Sequence, residues 1–245
     1  MKETFAAPKV LWLMPAGIAG NDMRSFATEN HLEVLQRASC WVVENARTAR
    51  RMVASVLQGF DFDSRLWFEL PKDRDSRGVA DWKEAMKSAP AGAVWVLMSE
   101  AGMPAVADPG AEVVSFAHKL GWSVKVLSGP SSIIMALASS GFNGQQFAFH
   151  GYLPVETREL QKKIQELEPP ANKGITQLFI ETPYRTERML QTLLKTLRPG
   201  TWLAVMANLE GADVFCRVDR VSEWLSKPSA PAKLPAVFLL GMPAV

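Results

Sequence analysis

Short apolar runs alternate with stretches of helical spacing along the first half of the chain, and this alternation is what most restricts the fold. The apolar runs predict strands at 10–14, 41–44, 66–70, 94–98 and 124–127. Between them, the spacing of apolar residues predicts helices at 31–37, 46–57, 80–87 and 112–120. Strands that alternate with helices favour a largely parallel sheet covered by helices.

The second half repeats this mixture of strands and helices. Apolar runs predict strands at 147–149, 177–181, 203–207, 214–218 and 236–240, and helical spacing predicts helices at 156–167 and 185–197. Proline and glycine indicate loops at 168–174 and 227–235. The sequence therefore predicts two α/β domains, residues 1–138 and 139–245, with a cleft between them.

Composition excludes several classes of protein. Of the 245 residues, 48% are apolar, which is enough for a folded core. The longest apolar runs, at 93–98 and 133–138, are far shorter than the roughly 20 residues of a membrane-spanning helix. The net charge is only +2 and no long basic run is present, so composition alone neither indicates nor excludes nucleic-acid binding. We expect a cytoplasmic enzyme without a membrane segment.

The histidines and cysteines do not form a recognisable reactive or metal-binding motif. The three histidines are isolated, so we expect no bound metal, and His31 fits the surface of a helix. Cys40 and Cys216 are too few for a disulfide framework, and we expect both to be buried in strands. The sequence also lacks GxSxG, GxGxxG and the phosphate-binding P-loop pattern.

Three loops rich in glycine and proline each follow a predicted strand. They read LMPAGIAGND at 13–22, MSEAGMPAVADPG at 98–110 and LSGPSS at 127–132. Loops at the carboxyl ends of parallel strands gather at one edge of a sheet, where ligands bind. Glycine allows close approach of the backbone to a ligand, and proline fixes the shape of a loop. Together the three loops predict a small-molecule site.

At these loops the chain resembles the tetrapyrrole methylase superfamily and, within it, the ribosomal RNA small-subunit methyltransferase I family. The family pattern TPIGN is similar to MPAGIAGN at 14–21, and SDAGTPxxSDPG is similar to SEAGMPAVADPG at 99–110. PGPSAxxxALxxSG resembles SGPSSIIMALASSG at 128–141, FxGFLP resembles FHGYLP at 149–154, and ESPHR resembles ETPYR at 181–185. These five motifs stand in the family's order.

The resemblance implies two α/β domains, a homodimer, and S-adenosylmethionine as the cofactor, held in the cleft. It implies methyl transfer to the ribose 2′-oxygen of a cytidine in small-subunit ribosomal RNA. The residues that it assigns to binding the methyl donor are Pro15, Gly17, Ile18, Ser99, Glu100, Ala101, Gly102, Met103, Pro104, Pro130, Ser131, Ser132, Thr182 and Asn208.

Departures from the family pattern concentrate in the polar groups on the acceptor side. The family's AEDTR becomes VENAR at 43–47, the histidine-rich stretch is replaced by ELPKDRD at 69–75, and RELT becomes ANLE at 207–210. These changes indicate a divergent paralogue. Two alternatives to RNA methylation therefore stay open: methylation of a tetrapyrrole or other small molecule, and donor binding without methyl transfer.

Glu44 and Arg47 are the candidate catalytic residues on the acceptor side. A hydroxyl acceptor must lose its proton, and Glu44 and Glu100 are the candidate bases. For Glu44, a solvated carboxylate paired with Arg47 is an equal alternative, and Glu100 fits better beside the methyl donor. Several basic residues could contact RNA phosphates, although a solvated helix face explains them at least as well. Three tryptophans could stack on RNA bases, although core packing explains them at least as well. The candidates for phosphate contact are Arg47, Arg50, Arg51, Lys72, Arg74 and Arg77, and those for base stacking are Trp41, Trp67 and Trp82.

Overall fold

The structure is a computed structural model that describes residues 7–20, 22–71, 79–231 and 233–244. The chain divides into two compact units, Met1–Ser131 and Ser132–Val245. The sequence placed this boundary later, between residues 138 and 139. The difference arises because the helix Ser132–Ser140 packs on strands of the second unit, through Ile133 and Leu137.

The first unit is a parallel sheet with helices on both faces. Along the described chain its elements are β1 (Val10–Met14), α1 (Glu29–Arg37), β2 (Cys40–Val43), α2 (Ala46–Val56), β3 (Leu66–Glu69), α3 (Val79–Ser88), β4 (Val94–Met98), α4 (Ala111–Lys119) and β5 (Ser123–Val126). The strand order is β3-β2-β4-β1-β5, and every neighbouring pair is parallel. The predicted parallel sheet is confirmed. Lys72, Arg74 and Arg77 lie outside the described residues.

Each face of this sheet has its own apolar core, because successive side chains of a strand point to opposite faces. Leu13 and Leu97 pack with Trp82 of α3 and other residues of α3 and α4. Met14 and Met98 point the other way and pack with residues of α1 and α2. The helices therefore hold the sheet from both sides and leave its carboxyl edge for the loops.

The second unit is built on a mixed sheet. Among the residues described, its elements are α5 (Ser132–Ser140), β6 (Phe147–Tyr152), α6 (Thr157–Ala171), β7 (Thr176–Glu181), α7 (Thr186–Thr196), β8 (Trp202–Ala207), β9 (Phe215–Arg220), α8 (Val221–Ser226) and β10 (Ala236–Gly241). The order is β6-β7-β10-β8-β9, in which only β6 and β7 are parallel. Helix α5 covers one face, and α6, α7 and α8 cover the other.

The predicted loop at 168–174 is wrong in its first half, because α6 continues through two prolines to Ala171. Glu168 explains why the chain stays helical there. Its carboxylate is buried and accepts hydrogen bonds from the Arg198 amide (2.8 Å) and the Thr201 hydroxyl. These tertiary bonds fix the last turn, which proline would otherwise weaken.

The two cysteines have different surroundings. Cys40 is buried as expected, and burial raises the pKa of its thiol to about 12. Cys216 is exposed, so the expectation that both are buried is wrong for this residue. It lies on β9, an edge strand of its sheet, which leaves its side chain accessible.

The described ranges show neither a membrane-crossing helix nor a metal-binding cluster. No helix there has both the length and the apolar character needed to cross a bilayer. Nor does any group of three or more histidine, cysteine, aspartate or glutamate side chains in those ranges have an arrangement that would hold a metal ion.

Candidate functional site

The carboxyl edge of the first sheet is the place where this topology leaves room for a ligand. Strands β1 and β4 are neighbours, and the chain leaves them in opposite directions, from β1 towards β2 and from β4 towards β5. Helix α1 then packs on one face and α4 on the other. The two connections therefore cross the neighbouring strand on opposite faces of the sheet, and ligands of open α/β sheets bind at the carboxyl ends of strands, where such loops gather.

Backbone hydrogen bonds join the loops that follow β1 and β4. The Ala16 amide donates to the Gly102 carbonyl at 2.8 Å, and the Gly102 amide donates to the Ala16 carbonyl at 3.0 Å. Gly102 has φ of 69°, a left-handed conformation that glycine adopts without strain. This two-residue bridge sets the relative position of the first two glycine- and proline-rich loops.

Gly129 brings the third loop against the first. A Cβ atom at position 129 would lie 2.2 Å from Cβ of Pro15, so no larger residue fits without movement. Gly17 is equally confined, since a Cβ there would lie 2.4 Å from the Asp22 carbonyl oxygen. The structure therefore brings Pro15, Gly17, Gly102 and Pro130 into one group of packed loops.

The loop between β4 and α4 holds two residues in a conformation that is costly for alanine. Ala105 has φ of 64° and Ala107 has φ of 62°. Such strain persists only where surrounding contacts impose it, and it is concentrated at functional sites. Just before this strained segment lie six of the residues predicted to bind the methyl donor: Ser99, Glu100, Ala101, Gly102, Met103 and Pro104. The Ser99 hydroxyl donates a hydrogen bond to the Ala101 carbonyl at 3.2 Å.

Three carboxylates meet at the same edge. The Glu100 amide donates to Oε2 of Glu44 at 3.0 Å, and the Thr48 hydroxyl donates to Oε1 of Glu100 at 3.0 Å. Burial and the negative charges of Glu44 and Glu100 raise the pKa of Asp108 to about 6, although a hydrogen bond from Ser99 opposes the shift. The site thus concentrates negative charge, which favours a cationic ligand.

Arg47 stands apart from these carboxylates. It is exposed in the first turn of α2, and within the described chain no ion pair joins it to Glu44. The alternative in which Glu44 merely pairs with Arg47 is therefore wrong for this structure. The orientation of Glu44 comes instead from the Glu100 amide.

The tryptophans and Arg50 are explained by packing. Trp41 and Trp82 are fully buried, and Trp41 stacks on Trp67 with 4.9 Å between ring centroids. The Arg50 guanidinium lies 5.1 Å from the Trp67 ring centroid. These residues form part of the first unit's core, so a base-stacking role is not needed to account for them.

His31 lies at this site, although the sequence suggested a surface position. Its side chain is buried, with 2% relative exposure, and its Nε2 donates to the Ser128 carbonyl at 2.8 Å. The isolated occurrence of the histidine in a helical pattern did not indicate its burial. Its position three residues after Thr28, where a capping-box side chain sits, was the signal that existed in the sequence.

Three of the residues predicted to bind the methyl donor belong to the second unit. Ser132 begins α5. Thr182 follows β7 and its amide donates to Oε1 of Glu181 at 2.8 Å, while Asn208 follows β8 with φ of 56° and donates to the Asp213 carbonyl at 3.2 Å. Their assignment to donor binding stays a prediction.

An ion pair organises the end of β7. Glu181 is buried, and its Oε2 lies 3.0 Å from the Arg185 guanidinium, which also donates to the Pro154 carbonyl at 3.2 Å. The ETPYR and FHGYLP motifs are thereby joined through one side chain. Both motifs fulfil a structural requirement in the second unit.

By its sequence and fold, the chain is similar to a family of methyltransferases. The profile of the Tetrapyrrole (Corrin/Porphyrin) Methylases matches residues 26–213, and the chain belongs to this family. The solved structure of uroporphyrin-III-C-methyltransferase from Thermus thermophilus has a TM-score of 0.52 at 18% identity and covers 95% of this chain and 94% of its own. The methyltransferase CobJ gives 0.60 at 14% identity, over 96% and 94%.

Among curated relatives, two named ribosomal RNA small subunit methyltransferase I are similar to this chain. The one from Vibrio cholerae is 29% identical over 188 residues, and the one from Bacillus subtilis is 26% identical over 190 residues. Each alignment covers 77% of this chain and 60% of the relative. The chain therefore spans about 60% of the length of these relatives.

Proposed function

We propose that this protein is an S-adenosylmethionine-dependent methyltransferase that acts on a ribose 2′-oxygen of small-subunit ribosomal RNA. One observation carries the proposal: the Ala16–Gly102 bridge joins the two family loops at the carboxyl edge of the first sheet. Membership of the methylase family supports the class of reaction. The names of the two curated relatives support RNA as the acceptor.

The chemistry of the edge fits the methyl donor. When bound, S-adenosylmethionine supplies an electrophilic methyl group on a sulfonium, and it also carries an ammonium group. Glu100 and Asp108 provide negative charge for these cations, and the backbone at Gly102 permits close approach. Pro15, Gly17, Ile18 and the loop 99–104 would hold the donor together with Pro130 and Ser131.

Glu44 is the proposed base for a hydroxyl acceptor. Its Oε2 accepts from the Glu100 amide, and no donor in the described chain bonds its Oε1. Oε1 is therefore the oxygen that would take the proton of the acceptor hydroxyl. Arg47, exposed next to this strand end, would contact an RNA phosphate.

The decisive experiment measures transfer of labelled methyl from S-adenosylmethionine to total RNA from a strain that lacks this protein. We expect label in small-subunit RNA, in dinucleotides that resist alkali because the 2′-oxygen is blocked. The Glu44→Gln variant serves as a control that keeps the shape of the site and loses the base.

Two other results would replace the proposal. Label in a tetrapyrrole or other small-molecule fraction, with none in RNA, would favour a small-molecule methyltransferase, a reading that the family's name supports. Donor binding without turnover on any fraction would favour a protein that only binds the donor, consistent with the sequence departures at 43–47 and 207–210.

Two further properties belong to the same proposal. The resemblance supports a homodimer, which light scattering of the purified protein tests directly. A substrate in the ribosome supports a cytoplasmic location, which fractionation of cells tests. A monomer in solution, or a protein found with the membrane fraction, would contradict the respective statement.

A further inference from the structure

The hydrogen bonds of His31 define its protonation state. The Thr28 amide, which can only donate, lies 3.2 Å from Nδ1, and the Thr28 hydroxyl lies 2.8 Å from the same atom. The Ser128 carbonyl, which can only accept, lies 2.8 Å from Nε2. Nδ1 must therefore accept and Nε2 must carry the proton, which fixes the neutral ring in one tautomer.

This ring connects two segments that are 97 residues apart in sequence. On one side it closes the first turn of α1, in the place where glutamate or glutamine usually accepts from the N-cap amide. On the other side it holds the backbone of the loop after β5. Phe26 meets the ring edge-on, with 6.0 Å between centroids, and limits its rotation.

The loop that His31 holds also contacts the other two loops of the site. Gly129, the next residue after Ser128, packs on Pro15 so closely that a Cβ would lie 2.2 Å away. A Cβ on Gly102 would lie 3.6 Å from the Pro130 carbonyl oxygen. A shift of the Ser128 carbonyl would therefore be transmitted to the loops after β1 and β4.

We propose that His31 is a positioning residue for methyl-donor binding, acting through its Nε2–H bond to Ser128 to fix the loop 127–131 against the loop after β1. The inference rests on the proposed donor site at this edge of the sheet. It assigns to His31 no contact with the donor and no proton transfer in the reaction.

A pair of substitutions separates the two bonds of the ring. Glutamine places an amide N–H near the position of Nε2 and an amide oxygen that can accept from the Thr28 amide, so His31→Gln keeps a donor to Ser128 and the capping-box acceptor. Asparagine places an acceptor near the position of Nδ1, so His31→Asn keeps the bond from the Thr28 amide and loses the one to Ser128. His118→Gln, at an exposed position of α4, is the matched control.

Calorimetric titration with S-adenosylhomocysteine, alongside the thermal midpoint of each variant, gives the main readout. We expect wild type, His31→Gln and His118→Gln to bind alike, and His31→Asn to bind about three- to tenfold more weakly, the loss expected for one hydrogen bond. In turnover, His31→Asn should raise the donor KM while kcat changes less than twofold.

Nitrogen-15 spectra of histidine-labelled protein give a second readout, which packing alone would not produce. We expect His31 to show a protonated Nε2 and an unprotonated Nδ1, and its Nε2 signal to move when S-adenosylhomocysteine is added. The spectrum of His31→Gln identifies the signal by its absence.

The outcomes distinguish this inference from the proposed function. If wild type binds S-adenosylhomocysteine and His31→Asn binds it within twofold of wild type, His31 has no positioning role. An Nε2 signal that stays in place on ligand addition would count against it as well. Absence of binding by wild type would overturn the donor site itself, and with it this inference.

Discussion

Asp108 lies beside two other carboxylates, and its raised pKa predicts how donor binding depends on pH. A cationic ligand favours the ionised carboxylate, so S-adenosylmethionine should expel the proton that Asp108 holds below about pH 6. Affinity should therefore rise with pH up to about 6, by as much as about tenfold per pH unit, and level off above it. Calorimetry in buffers of different ionisation enthalpy measures the protons released.

S-adenosylhomocysteine is the matched ligand for this test, because it lacks the sulfonium charge. It should release fewer protons than S-adenosylmethionine at the same pH. The Asp108→Asn variant should show neither the release nor the pH dependence. Equal proton release by the two ligands would show that the sulfonium does not lie near Asp108.

Glu44 predicts a different pattern, because its proposed role is in turnover. Glu44→Gln keeps an oxygen that accepts from the Glu100 amide and removes the base, so kcat should fall about 10²- to 10⁴-fold while donor affinity, with Glu100 and Asp108 still present, changes far less. Single-turnover methyl transfer at saturating donor measures this. Donor affinity that falls together with kcat would instead show that Glu44 acts only by holding the loop at Glu100.

At the level of loops and helices, Gly129→Ala tests whether the packed loops form the donor site. The added methyl group would overlap the Pro15 ring, so the loops must separate, with a loss of about 1–3 kcal/mol in stability and a weaker donor affinity. Gly121→Ala is the control: Gly121 has φ of 71° and open space around it. It should lower stability by about 1 kcal/mol and leave donor affinity unchanged.

For both glycine variants, thermal or urea unfolding measures the change in stability and donor titration measures the change in affinity. If Gly129→Ala destabilises the protein and binds donor normally, the contact between loops is structural only. If Gly121→Ala also weakens binding, general destabilisation explains the result.

Helix α7 begins at the ion pair between Glu181 and Arg185. Because this pair is largely buried, removing its cation should strongly destabilise the protein. Arg185→Met would leave the fully buried Glu181 carboxylate without its cation and should destabilise the protein by about 3 kcal/mol in urea unfolding. Arg198→Met is the comparison, because the Arg198 side chain is 76% exposed and the buried Glu168 carboxylate would keep its hydrogen bonds from the Arg198 amide and the Thr201 hydroxyl. It should change stability by less than about 1 kcal/mol. Equal losses of stability in the two variants would show that the Glu181–Arg185 pair contributes no more than the Glu168–Arg198 pair.

The elements that sequence predicts best are those with local signals. Periodicity located β1, β4 and the helices that cover them, because a buried strand needs a continuous apolar run and a covering helix needs one apolar face. It failed at α6, where tertiary bonds to Glu168 keep two prolines helical, and it did not find the short α8.

The candidate site divides in the same way. Glycine and proline punctuation located the loops that contain Gly102 and Gly129, because the required backbone conformations and close contacts restrict the residue type. The partners of Glu44 and the burial of His31 depend on segments far apart in sequence. Such contacts cannot be predicted from residue type and spacing.

At the scale of the whole molecule, the proposed RNA binding should depend on salt through exposed cations such as Arg47. Arg47→Ala should weaken RNA binding, reduce the magnitude of the negative slope of log affinity against log salt by about 0.7–0.9, and leave donor affinity within twofold. Arg37→Ala, which removes an exposed cation that pairs with Glu33 at 3.0 Å, is the control and should leave the slope unchanged. An unchanged slope in Arg47→Ala would remove this residue from the RNA interface.

The strand order of the first sheet also determines how the protein forms during synthesis. Strand β1 pairs with β4 and β5, the nearer of which follows about 80 residues later. At about 5–20 residues per second, the ribosome leaves β1 without a partner for about 4–16 s, whereas β2 and β3 pair sooner. During that interval Leu11, Leu13 and Met14 form an exposed apolar segment on the nascent chain. Chaperones that bind apolar nascent segments should therefore engage this N-terminal strand until β4 emerges.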